Sequence, residues 1–199
     1  PHADGHLLGI GIALPRDVSR DDRRLALCAV ARVKQLKLGR LGVWSLDVQT
    51  ALRPAHNLRA ETWTAYDPDG SSGATVWATV TPIAYDRHPK TSDRAAYQRA
   101  VAEMIAQACI RVGLPGPRDV VVSGVSAFHG VPPAHAVPRL QRKDGSARRH
   151  AHAVLVFDEP VCGPMLIGAG RYRGYGMCRA LNRRDDVARL ARGVDEHRL

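Results

Sequence analysis

Aromatic residues are scarce in this chain: three Trp, five Tyr and two Phe make up 5% of 199 residues. A core built from it must be filled mostly by Val, Leu, Ile and Ala. The 45% hydrophobic content suffices for one domain or two small ones. No apolar run reaches the length of a membrane span, and no signal-peptide pattern is present. No long basic amphipathic helix stands out, which argues against a membrane surface as partner. Cys28, Cys109, Cys162 and Cys178 form no C-x-x-C pair and read as reduced core or near-core thiols of a cytosolic protein. G-x-S-x-G, P-loop and H-E-x-x-H patterns are all missing. Acidic residues are also short, 19 against 29 Lys and Arg, for a formal net charge of +10. That balance favours an acidic partner, above all nucleic acid, over a neutral small molecule. The chain opens on Pro1 in P-H-A-D-G-H, which favours a C-terminal piece of a longer protein.

What is abundant is glycine in one stretch, Gly163–Met177, G-P-M-L-I-G-A-G-R-Y-R-G-Y-G-M. Glycine lets a backbone approach a ligand closely and reach positive φ. Successive N–H groups make an anion-binding concavity. Arg171 and Arg173 add forked donors, and Tyr172 and Tyr175 add flat faces on which bases stack. A Gly-rich hairpin with solvated arginines and a nucleotide-cofactor loop are the alternatives. The spacing Gly168-x-Gly170-x-x-x-Gly174 is not the dinucleotide fingerprint, and too few residues follow to complete a βαβ unit. Arg173-Gly-Tyr-Gly176 matches the start of an RRM strand, then departs at Met177, Cys178 and Ala180.

Along the chain, His6–Leu14 reads as a strand stopped by Pro15. Ser19, Asp21 and Asp22 open a helix running to about Val33, with Leu25, Leu27, Cys28, Val30 and Ala31 as its apolar candidates. Residues 36–48 read as strand with a bend at Gly39 and Gly42. The order β-α-β-β opens a ferredoxin-like unit whose second helix is missing or degenerate over 51–69. The loop 67–73 is the expected boundary, with units over 1–70 and 74–199. The second unit repeats the order: a strand over 75–85 broken at Pro82, a helix over 92–112, a strand over 119–127, a Pro-rich loop, a hairpin over 139–157 tipped by Lys143–Ser146, the Gly-rich stretch and a last strand. A short basic helix is expected over 183–192. The expected class is thus α+β, with tandem ferredoxin-like domains.

The hairpin carries Arg139, Arg142, Lys143, Arg148 and Arg149 against the single acid Asp144. A basic β-ribbon fits a nucleic-acid groove and binds phosphates without reading sequence. The alternative is a solvated tip. His150 and His152 share one strand face with Val154 and Val156. Two histidines without a third ligand do not make a metal site, so no metal and no cofactor is expected. A structural or an RNA-facing pair fits better. His2 and His6 flank Asp4, and His56, His88, His129, His135 and His197 fall in loops or a tail, where histidine is ordinarily solvated.

The stretches P-H-A-D-G-H-L-L-G (1–9), R-H-A-H-A-V-L-V-F (149–157) and P-V-C-G-P-M-L-I-G-A-G-R-Y-R-G-Y-G (160–176) resemble the RAMP proteins of CRISPR systems. More narrowly, they resemble the repeat-RNA-processing endoribonuclease half of the fused RAMP subunit of type I-G effector complexes. The resemblance implies binding of a CRISPR repeat hairpin RNA, cleavage at its base, and retention of the guide in an effector with other subunits, including an N-terminal backbone RAMP domain. It implies that Gly168, Gly170, Arg171, Tyr172, Arg173 and Gly174 hold RNA backbone, with the hairpin against the stem. Relatives commonly place a catalytic histidine at the first helix, but residues 19–33 contain none. With no acidic cluster for two-metal chemistry, the expected reaction is metal-independent attack by the 2′-OH with a histidine base. His6, with His2, is the first candidate, His152 and His150 the second, and Tyr172 a positioning donor. A non-catalytic RAMP scaffold and an unrelated RRM-like RNA-binding protein are the rival readings.

Overall fold

A computed structural model describes residues 12–15, 17–47, 59–66 and 73–181. The chain divides into a unit over residues 8–59 and a larger one to which residues 60–199 belong. The boundary therefore falls before the loop that the sequence pointed to. The reason is a five-residue helix, Ala60–Thr64, which packs on the last strand of the larger unit.

In the first unit, helix α1 spans Arg20–Ala31. Its start follows from a side-chain cap: Ser19 Oγ accepts from the Asp22 backbone N–H at 3.0 Å, with Asp21 and Asp22 in the first turn to complement the helix dipole. Strands β1 (Gln35–Lys37) and β2 (Val43–Ser45) pair antiparallel around a single tight turn over Gly39–Leu41, so the bend at Gly39 and Gly42 does separate two short strands. No residue of α1 is buried; Leu25 is 70% and Leu27 61% exposed. The apolar positions expected to enter a core thus do not, since two three-residue strands cannot cover a helix face. Residues 12–14 are not strand, and the rest of the first expected strand lies outside the described residues.

The larger unit is a helix and a sheet. Its elements are α2 (Ala60–Thr64), β3 (Ala74–Thr79), β4 (Ile83–Ala84), α3 (Arg94–Arg111), β5 (Asp119–Ser123), β6 (His150–Val161), β7 (Met165–Leu166) and β8 (Met177–Ala180). Pro82 interrupts the first strand because it has no N–H for the ladder, and β3 and β4 pair in turn with the same long strand β6. On the other side of β6 lies β5, with Val120 opposite Leu155; β3 also pairs β8, with Trp77 opposite Ala180, and β8 pairs β7. All pairs are antiparallel. Hence β3 and β5 run parallel with β6 between them, and α3 crosses from one to the other. Asp93 caps α3 by accepting from the Ala96 N–H at 2.6 Å. The helix turns Val101, Met104, Ile105, Ala108 and Cys109 into a core with Trp77, Ile83, Leu155, Phe157, Met165 and Ile167 of the sheet. A smaller cluster of Ala78, Phe128 and Leu181 sits apart from it. The described residues therefore make an α+β protein.

Cys109 and Cys178 are buried, and burial raises both thiols, Cys109 to about 12. Cys28 is exposed, against the expectation of a core or near-core position. Among the described residues no helix is long and apolar enough to cross a membrane. The basic helix expected over 183–192 lies outside the described residues.

Candidate nucleic-acid interface

The turn at Lys143–Ser146 forms where Asp-Gly directs it. Gly145 takes φ +79, and Asp144 Oδ1 accepts from Ser146 N at 2.9 Å and Ser146 Oγ at 2.7 Å. These Ser146 hydrogen bonds hold the Asp144 carboxyl below its ordinary pKa. The flanking backbone pairs across Gln141 and Ala147, and Arg142 N donates to Ser146 O at 2.8 Å. The tip is thereby held as a tight turn closed by one bridge, with Lys143 exposed and Arg142 half-buried.

The Gly-rich stretch folds back on β4. Ala169 N donates to Ala84 O at 3.0 Å, Gly176 N to Pro82 O at 2.9 Å, and Ile167 N to Gly176 O at 3.0 Å. Close approach makes three of its glycines obligatory, and a Cβ at Gly163 would sit 2.2 Å from Trp63 O. A Cβ at Gly176 would sit 1.9 Å from Ile167 O, and one at Gly168 would sit 2.7 Å from Ala84 O. Two expectations change here. The N–H groups of Arg171, Arg173 and Tyr175 turn inward to Gly168 O and Gly170 O, so a nest of outward donors is not how this loop meets an anion. Gly170 has φ −99 rather than a positive value; its Cβ space is taken by Tyr175, 2.6 Å away. Gly174, at φ +82 with open space around it, does need the left-handed region. The loop shows its side chains instead: Tyr172 is 83% exposed, with the Arg171 guanidinium 4.5 Å over its ring.

Hairpin and loop meet. Leu140, Gln141, Arg142, Lys143, Asp144 and Arg148 line a cleft of about 460 Å³ with Ala169 and Arg173 of the Gly-rich stretch. Four cations face one carboxylate there. Arg142 Nε is buried and has no hydrogen-bond partner among the described residues. Arg148 is differently placed: its Nη1 donates to Tyr85 O at 2.9 Å and to Asp86 O at 2.8 Å, tying the hairpin's foot to the body. Arg149 is exposed and lies 5.9 Å from the Tyr97 ring centroid; Arg139 is exposed. Tyr175 is turned away from the role given it, because its hydroxyl donates to Pro138 O and its ring lies 6.0 Å from that of His150.

The two strand histidines are built into the structure. His152 is 1% exposed; its Nδ1 is 2.9 Å from Thr79 Oγ1 and its Nε2 is 3.1 Å from Pro132 O. A carbonyl only accepts, so Nε2 carries the proton and Nδ1 accepts from the threonine hydroxyl. That hydroxyl itself accepts from Ala153 N at 3.0 Å. Burial depresses the His152 pKa. His150 Nε2 likewise donates to Ala134 O at 2.6 Å. The pair shares a strand face, as expected, and uses it to hold the loop over 132–134. His152 thus has both ring nitrogens engaged in the fold, whereas His150 keeps its Nδ1 buried and without a hydrogen-bond partner among the described residues. His2 and His6 lie outside the described residues.

Sequence reasoning missed the segment Tyr85–His88, on which the hairpin's foot stands, and Tyr97 of α3. The available signal was the charge of D-R-H-P-K (86–90), four cationic or titratable groups within five residues. No group of three metal-ligating side chains occurs among the described residues. No family model, curated protein or solved structure matches the chain.

Proposed function

We propose that this chain binds RNA in the cleft between the basic hairpin and the Gly-rich stretch, and that the RNA is a CRISPR repeat hairpin. The observation that carries the reading is the cleft itself. Two segments singled out for separate reasons converge on one concavity, with Arg142, Lys143 and Arg173 turned to it and a buried Arg142 Nε lacking an acceptor. A phosphodiester oxygen is the acceptor that this chemistry fits. Tyr172, held flat by Arg171, offers an adjacent stacking face.

The strand order supports the family resemblance. Reading β5-β6-β3-β8 across the sheet, with α3 joining the two parallel strands, gives the ferredoxin-like arrangement, with the Gly-rich stretch standing where a second helix would be. The reaction is metal-independent: the 2′-OH attacks the adjacent phosphorus, leaving a 2′,3′-cyclic phosphate and a 5′-hydroxyl. The processed guide stays bound within a type I effector. A second reading, a non-catalytic RAMP scaffold with the same interface, is favoured by one observation: both described histidine candidates, His150 and His152, donate Nε2 to backbone carbonyls of the fold.

The test is incubation with end-labelled RNA stem-loops of randomised sequence in EDTA, followed by selection and end analysis. Enrichment of one stem-loop class cut to a cyclic phosphate is expected. Enrichment without cutting establishes the scaffold reading, and binding of single strands without a stem preference refutes the repeat-hairpin reading.

A further inference from the structure

At the foot of the basic hairpin, two chemistry-bearing side chains from two loops border the ring of Tyr97 on α3. His88 lies edge-on to Tyr97 with centroids 5.8 Å apart, and the Arg149 guanidinium lies 5.9 Å from the same centroid. His88 and Arg149 are exposed and Tyr97 is half-buried, so the cluster faces solvent. It adjoins the cleft through the backbone. Tyr85 N donates to Arg149 O at 2.9 Å, and Arg148, which lines the cleft, holds the carbonyls of Tyr85 and Asp86. Unlike His150 and His152, His88 has its ring engaged by an aromatic edge alone among the described residues.

We infer that His88, Tyr97 and Arg149 are the catalytic cluster of the cleavage reaction, with His88 as the base; this rests on the RNA-cleaving reading above. His88 takes the proton of the 2′-hydroxyl. The 2′-oxygen bonds to the adjacent phosphorus, and the bond from phosphorus to the 5′-oxygen breaks. That oxygen takes a proton from the Tyr97 hydroxyl, which regains one from the histidinium through solvent. Arg149 lies against the phosphoryl oxygens and offsets their added charge in the transition state. The three groups together supply a base, an acid and a cation, and no metal enters the step.

The experiment compares the full chain with H88A and Y97F on the same randomised stem-loop pool. It measures single-turnover cutting at saturating protein and affinity by filter binding. H88A should cut about 100-fold more slowly, within the range for loss of a general base, with affinity within twofold of wild type and added imidazole restoring part of the rate. The ascending limb of the wild-type rate–pH profile should be absent from that of H88A. Y97F should be slowed. Cutting by H88A at the wild-type rate, or a loss confined to affinity, overturns the inference while leaving the RNA-cleaving reading standing. A wild-type chain that binds the pool without cutting it removes both.

Discussion

Removing the cleft cations should change the salt dependence of RNA binding in a way that separates the arginines by their structural partners. Arg142, Lys143 and Arg173 line the cleft, and among the described residues no carbonyl accepts from their charged groups as Tyr85 O and Asp86 O do from Arg148. Each phosphate neutralised on a single strand contributes about 0.7 to the slope of log affinity against log salt, so losing all three flattens the slope by about 2. Between about 50 and 200 mM salt, the affinity of the triple alanine variant should therefore fall about 20-fold less than that of the wild type. Arg148→Ala should behave otherwise. Its guanidinium is bound to two backbone carbonyls, so the variant should lose about 2 kcal/mol of stability, the range for hydrogen bonds from a charged donor, with little change of slope. Fluorescence anisotropy with a labelled stem-loop over a salt series reads the slope, and urea unfolding reads the stability. An unchanged slope in the triple variant takes the cleft out of the interface. A slope change in Arg148→Ala as large as in Arg142→Ala refutes the division of roles drawn from their hydrogen bonds.

Two further outcomes follow from the same geometry. Gly176→Ala puts a Cβ 1.9 Å from Ile167 O at φ +70 and should lower stability by more than the about 1–2 kcal/mol of left-handed strain alone, whereas Gly174→Ala, with open space around it, should lose only that strain; equal losses in urea unfolding would refute the packing account of the loop. His152 is buried with a pKa held below its unfolded value of 6.5, so the unfolded chain binds the extra proton first, and stability should be full above about pH 6.5 and decline as pH falls below it. His152→Gln should flatten that decline in unfolding measured from pH 7.5 to pH 5, on the order of the range in which histidine titrates, and an identical pH profile in the variant would show that other groups carry it.

The local features were legible from residue order because each is settled within a turn or two of chain. Ser19 and Asp93 cap helices, Asp144-Gly145 turns a hairpin, and the spacing of Val101, Met104, Ile105 and Ala108 turns one face of α3 inward. The convergence of two basic segments was foreseeable only as proximity in sequence. What tertiary structure alone decided is the employment of individual side chains. His150 and His152 look alike in H-A-H-A, and what they do depends on Ala134, Pro132 and Thr79, which lie 16, 20 and 73 residues away. Arg142 and Arg148 are both hairpin arginines, yet only the second meets the carbonyls of residues 85 and 86. The Gly-rich stretch carries the composition of an open phosphate loop. Its backbone donors nevertheless close on Pro82, Ala84 and its own carbonyls, because an N–H group buried against a sheet must find a partner there.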